Sequence, residues 1–228
     1  MCTQCYIFDP LTPDEFKKRI NENFPSAYLT LISIIQGVSL GILANNTFTY
    51  IKDPCLAEPW ESFLPYSIMC FFLIIIVTYE YVWFIGVFHW SPKIWDTFIP
   101  FFLGISEIVP MFYLTSPKIW WLCTAGFSVC GAFGFYNSLR NCKEPMFCGN
   151  KKMYNRVRKT LKQDVILALA AAIICLFAVF SASKYMKVIH WYLPDILFLV
   201  SLTCIAIVLI CKEEKFMRDL HEDLGFTY

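Results

Sequence analysis

Apolar positions along this chain fall into long unbroken runs, not into the alternation of a half-buried strand or the narrow stripe of a surface helix. Six runs approach the ~18–20 residues with which a helix crosses ~30 Å of hydrocarbon. They are Ala27–Ala44, Leu64–Phe88, Thr97–Leu114, Ile119–Tyr136, Val165–Ser183 and Leu193–Cys211, and none contains a lysine or arginine. A backbone inside lipid has no water to bond, so each run must satisfy its own N–H and C=O groups as a helix. The pattern predicts an all-α polytopic integral membrane protein with six transmembrane helices over residues 27–211. Pro100, Glu107 and Pro110 interrupt the third run and several glycines dilute the fourth, so four spans plus a re-entrant pair is the alternative.

Composition agrees with the pattern: of 228 residues, 57% are hydrophobic and 16% charged. A soluble domain of this size has too much surface to cover for so few polar groups, and disorder requires the opposite bias. The net charge of +1 is uninformative, but its distribution is not. With both termini on the cytoplasmic side, the cytoplasmic segments hold fifteen Lys and Arg and the outer loops hold Lys52, Lys118, Lys184 and Lys187. Basic residues stay near cytoplasmic ends, which predicts an N-in, C-in topology. The first run is not read as a cleavable signal, since no small-x-small site follows it.

The flanks read as short amphipathic cytoplasmic helices. In segment 1–26, Thr12, Pro13 and Glu15 form a capping-box start, Phe16, Ile20 and Phe24 share a face, and Pro25 is expected to end the helix. In segment 212–228, Phe216, Leu220 and Leu224 share a face suited to a cytosolic partner, a sister subunit or the chain's own loops. The pentapeptide SPKIW occurs at Ser91–Trp95 and Ser116–Trp120. Ser followed by Pro starts a helix, and Lys with Trp suits a membrane interface.

Within the runs, Gln36, Glu80 and Glu107 are the polar groups that need explaining, with no basic residue expected at their depth. An acid in hydrocarbon is expensive and is by default a functional hypothesis. Three states remain open: protonated and hydrogen-bonded, binding a passing cation, or facing a wet cavity. Glu80 and Glu107 are expected at similar depth on consecutive helices. Small residues at helical spacing, Ser33, Gly37 and Gly41, then Gly126, Cys130 and Gly134, then Ala168, Ala171, Cys175, Ala178 and Ala182, predict packing seams and a homo-oligomer.

The connection 140–164 carries eight Lys and Arg and reads as a basic cytoplasmic loop. Lys151, Lys152, Arg156, Arg158 and Lys159 form the candidate docking surface, for anionic lipid or an acidic cytosolic protein and not for nucleic acid. Cys2, Cys5, Cys142 and Cys148 invite a zinc reading that nothing else in the sequence supports. No cofactor is predicted. HExxH, Walker and GxSxG patterns are absent, which argues against an enzyme.

Two functional expectations follow. One is a non-enzymatic oligomeric subunit that senses at the bilayer and docks a cytosolic partner through its basic face. The other is a small cation channel or cation/proton-coupled transporter working through Glu107 and Glu80. In general character the arrangement resembles small polytopic subunits encoded beside cytosolic effectors in bacterial defence or stress systems.

Overall fold

The computed structural model describes residues 13–52, 60–87, 94–144, 150–185 and 193–223. Six α-helices follow in chain order: α1 (Pro13–Lys52), α2 (Trp60–Val87), α3 (Ile94–Ile108), α4 (Pro117–Asn141), α5 (Lys151–Tyr185) and α6 (Leu193–Asp223). A five-residue 3-10 helix, Val109–Tyr113, prolongs α3. No strand occurs among the described residues. Five segments are long and apolar enough to cross a membrane: Pro25–Lys52, Ser62–Ile85, Pro117–Asn141, Lys151–Ser181 and Ile196–Asp219. Phe98–Tyr113 is a shorter apolar helix. Ile34, Phe102, Ile105, Phe133, Phe177 and Phe180 all face outward. An apolar perimeter of that extent belongs in lipid, so the chain is a multi-pass helical membrane protein.

Ring contacts fix the directions of the helices. Tyr50 of α1 meets Phe63 of α2 at 5.6 Å, while Tyr28 meets Tyr81 at 5.7 Å, so α1 and α2 run antiparallel. Trp120 and Trp121 at the start of α4 stack on Tyr66 near the start of α2, and Trp121 reaches Phe198 near the start of α6. The most extensive contact is between α4 and α5. The result is an up-and-down bundle with an apolar core at each end. One core holds Phe63, Tyr66, Cys70, Met111, Trp120 and Trp121. The other holds Trp83, Cys142, Val157, Leu161 and Phe216.

Several expected boundaries move. Pro25 does not end the N-terminal helix, because α1 runs through it from Pro13 to Lys52. A proline removes one backbone bond without severing a long helix in a bilayer. The side chains of Phe16, Ile20 and Phe24, and all of Thr12, lie outside the described residues. The basic loop is largely helix, since α5 begins at Lys151. The C-terminal tail is no separate element either, since α6 continues to Asp223. Its Phe216 docks back on the chain itself, 5.6 Å from the Trp83 ring; the side chains of Leu220 and Leu224 lie outside the described residues.

The second SPKIW copy starts α4 at Pro117 with Ser116 as its N-cap, while of the first copy only Ile94 and Trp95, within α3, are among the described residues. The second copy's Trp120 is not an interface anchor: it is fully buried, and its Nε1–H donates to Cys70 Sγ at 3.4 Å. Pro100 stays inside α3, whereas the α to 3-10 change falls beside Pro110.

Of the small-residue stripes, the α5 one packs within the chain, with Ala168, Ala171, Cys175 and Ala178 buried. Gly134 on α4 lies against Ile99 and Leu103 of α3, where an added Cβ would sit 3.7 and 3.8 Å from them. Ser33, Gly37 and Gly41 join no other helix among the described residues: they are exposed, and a Cβ on Gly37, Gly41 or Gly126 would meet open space. The tightest crossing is one the stripes did not include. A Cβ on Gly104 of α3 would come within 2.5 Å of Cγ2 of Ile35 on α1. That methyl is on a β-branched carbon and cannot swing aside.

Gly104→Ala therefore costs about 1–3 kcal/mol, the usual penalty of overpacking. Gly37→Ala and Gly41→Ala are neutral or gain up to about 1 kcal/mol of helix propensity. Thermal unfolding in detergent separates the two classes, and equal losses at Gly104 and Gly37 contradict this account of the crossing.

Candidate functional site

Two buried polar layers stand out, at different levels of the bundle. The first joins α1 to α3. The inward line of α1 runs Tyr28, Ile32, Gln36, Ser39, Leu43, all buried at spacings of three or four residues. Of its two polar members Gln36 meets the end of α3, and Ser39 lies one turn further along the same line. Gln36 Nε2 donates to Glu107 Oε2 at 3.1 Å, and Glu107 is 1% exposed. Cys70 and Tyr81 of α2 lie within electrostatic reach of Glu107. The remaining oxygens, Gln36 Oε1, Glu107 Oε1 and Ser39 Oγ, are buried without a hydrogen-bond partner. Three residues after Glu107 stands Pro110, whose missing N–H leaves the Ser106 carbonyl without its helical donor. Further along, Asn46 Nδ2 donates to the Met111 carbonyl at 2.9 Å, tying the 3-10 segment back to α1.

The second layer joins α2, α5 and α6. Asp164 of α5 and Glu213 of α6 are fully buried, and Glu80 of α2 is half-buried with its Oε2 out of solvent reach. Lys212 Nζ donates to Asp164 Oδ1 as a buried ion pair. Glu80 and Glu213 lie within electrostatic reach of one another. Neither ionised carboxylate has a proton to donate, and without one Glu80 Oε2 and both Glu213 oxygens have no partner. Two carboxyls so placed repel one another unless a proton is shared between them. Three carboxyls around one ammonium leave this layer acidic unless protons fill it.

The expected constellation of Gln36, Glu80 and Glu107 thus divides. Gln36 and Glu107 are together, and Glu80 belongs to the other layer. Tyr28, eight residues before Gln36, packs on Tyr81 beside Glu80, so the layers differ in depth by ~12 Å along α1. The expectation that no basic residue reaches this depth fails for Glu80, because Lys212 lies within its electrostatic reach. Asp164, Lys212 and Glu213 were not anticipated as a site. Among the described residues no group of three or more His, Cys, Asp or Glu is placed to hold a metal ion.

The basic surface is a helical face. Asn155, Arg158, Lys159 and Lys162, at i, i+3, i+4 and i+7 of α5, line a shallow exposed concavity, and Lys151 and Lys152 lie one turn earlier. Arg158 donates to the Tyr154 hydroxyl at 3.0 Å. Arg156 turns toward α6, where it reaches Asp219 at 3.9 Å, and so leaves this face. Of the four candidate zinc thiols only Cys142 is described. It is buried after α4, and burial pushes its thiol up against the weaker downward pull of Arg158. A thiol so shifted is a poor metal ligand.

Lys212→Met strands the Asp164 carboxylate in the core, which costs about 3–5 kcal/mol. Combining it with Asp164→Asn restores most of the loss, because the pair is removed as a unit. Thermal unfolding of the single and double variants in detergent measures this, and additive losses contradict the buried pairing.

No family model, curated protein or solved structure matches the chain, so its residues and their geometry alone carry the functional reading.

Proposed function

We propose that this protein is a six-span, non-enzymatic membrane protein with both termini cytoplasmic that conducts or transports a proton or small cation by way of Glu107. The observation that carries the reading is a buried carboxyl inside a membrane bundle with one oxygen held by Gln36 and the other left without a partner. A carboxyl kept only for structure is expected to have both oxygens satisfied, since an orphan at this depth costs several kcal/mol. Its position supports the same conclusion. Glu107 is next to last in α3, just before the helix tightens to 3-10 geometry, and interrupted helices at membrane depth are where transporters place their sites.

Six crossings follow if α3 and its 3-10 extension act as one span. Fifteen α-helical residues at ~1.5 Å and five 3-10 residues at ~2.0 Å reach ~32 Å, enough for the hydrocarbon core. With six crossings the layer of Glu80, Asp164, Lys212 and Glu213 lies at the inner boundary. There a shared proton can exchange with the cytoplasmic side.

A second reading, a subunit that docks an acidic cytosolic partner or anionic lipid, is favoured by the exposed basic face at Asn155, Arg158, Lys159 and Lys162. The open stripe Ser33, Gly37 and Gly41 suits a homo-oligomeric contact in either reading.

In proteoliposomes under a pH or cation gradient, the chain produces flux that Glu107→Gln reduces by at least about tenfold, the effect of losing one essential ionisable group. Flux-free vesicles, with an acidic partner co-purifying and released by Lys159→Glu and Lys162→Glu, decide for the docking reading. Orientation is checked separately with a membrane-impermeant maleimide on sealed cells. Asn45→Cys gains label from outside, and Asn155→Cys gains it only after permeabilisation. The reverse pattern inverts the topology.

A further inference from the structure

We propose that Gln36, Ser39 and Glu107 form a binding site for a desolvated monovalent cation of sodium size. The proposal rests on the transport reading of Glu107 and names the ion. Its basis is the set of orphaned oxygens on one buried seam between α1 and α3. Gln36 spends its amide nitrogen on Glu107 Oε2, which leaves the amide oxygen of one and the second carboxylate oxygen of the other without partners. Ser39 lies one turn along the same inward line of α1 and is 0% exposed.

Ser39 is the informative member. A serine or threonine inside a helix satisfies its hydroxyl by donating to the carbonyl four residues earlier. Ser33, Ser67, Thr78, Thr124, Ser128 and Ser138 all do so here. Ser39 Oγ does not, and has no partner at all. The Ser106 carbonyl, deprived of its donor by Pro110, adds a backbone oxygen beside Glu107.

The chemistry of the set selects the ion. All the donors are hard oxygens, which suit a hard cation and no soft one. One carboxylate supplies a single negative charge, whereas calcium sites gather several. Among the described residues the other titratable groups within electrostatic reach of Glu107 are Cys70 and Tyr81, and a thiol and a phenol carry no charge at neutral pH. Among the described ion pairs none involves Glu107, so a bound cation would be its charge partner. A proton is the competing occupant. A protonated Glu107 can close an amide–acid pair with Gln36, satisfying those two oxygens but leaving Ser39 with nothing. A cation engages all three.

The test is thermal unfolding and calorimetric titration of the purified full chain in detergent, with NaCl, KCl or choline chloride at equal ionic strength. Sodium raises the unfolding temperature saturably over choline and over potassium. Ser39→Ala weakens the apparent sodium affinity by about tenfold, the loss of one buried oxygen ligand. Glu107→Gln, close in shape and uncharged, abolishes the sodium response while the protein still elutes as a folded species. Lowering the pH weakens sodium binding as protons compete for Glu107. A sodium response absent from the native chain, or unchanged in both variants, overturns the site. Sodium binding without vesicle flux overturns the transport reading and leaves the site standing. Proton flux lost in Glu107→Gln with no sodium binding does the reverse.

Discussion

The approach of α3 to α1 is governed by one position. At Gly104 a single added carbon would collide with Ile35, so the two helices cross as closely as their backbones and that methyl allow. Ile35 precedes Gln36 by one residue and Gly104 precedes Glu107 by three. The crossing that the glycine permits therefore brings the Gln36 amide to 3.1 Å from the carboxyl. Pro110 then changes the helix type just beyond it. Glycine, acid and proline within seven residues act together: the first sets the distance, the second supplies the charge-bearing group, and the third frees a carbonyl beside it. In a medium of low dielectric each satisfied bond is stronger and each orphan dearer, so the arrangement is high-stakes wherever its oxygens lie unpaired.

At the other level the constraint is an ion pair instead of a glycine. α5 and α6 both continue as unbroken helices past the place where their apolar character ends. Two pairs connect them there: Arg156 with Asp219 at the surface, and Asp164 with Lys212 in the core. The surface pair contributes little, being solvated and screened. The buried pair fixes register, because sliding α6 by a turn would strand Asp164 among apolar side chains. Phe216 sets the same register independently by filling the space beside Trp83. That contact carries apolar packing from the bundle into the part of α6 that composition alone marks as a charged tail.

The apolar runs, the membrane class, the α5 seam and the buried polar character of Gln36 and Glu107 were all legible in the sequence, since an acid in hydrocarbon announces itself. The second layer was not, because a hydropathy scan cuts a helix where charge begins. Asp164 fell one residue before a span, and Lys212 and Glu213 just after one. The helical period, followed across those cuts, contains the missing signal. On α5 a buried line runs Val157, Leu161, Asp164, Ala168, Ala171, Cys175, Ala178 at alternating spacings of four and three, with Thr160 and Ala172 buried beside it. On α6 they run Leu202, Ala206, Leu209, Glu213, Phe216. Both acids occupy core places in a seam that ignores the hydropathy boundary. The stripe at Ser33, Gly37 and Gly41 shows the complementary limit: spacing reveals a smooth face but not what it meets, and here none of the described residues meets it.

These seams explain why costly polar groups are retained at such positions. A span that is apolar on every side has almost no preferred face in lipid, since rotating it exchanges one hydrocarbon surface for another. Gln36 and Ser39 on α1, Glu80 on α2, Asp164 on α5 and Glu213 on α6 remove that freedom. Turning any of these helices by one residue, ~100°, would carry a carboxyl, amide or hydroxyl toward the acyl chains. Small and polar residues thus specify the rotation that hydrophobicity leaves open. A group that sets rotation can take a charge partner, as Asp164 does through Oδ1 in Lys212, even with its Oδ2 left over. The oxygens of Gln36, Ser39 and Glu107 are oriented inward by the same rule and then left unpaired, an expense that rotation alone does not require. Orientation accounts for where these side chains point but not for the bonds they still have to give, and those bonds are what the proposed cation would take up.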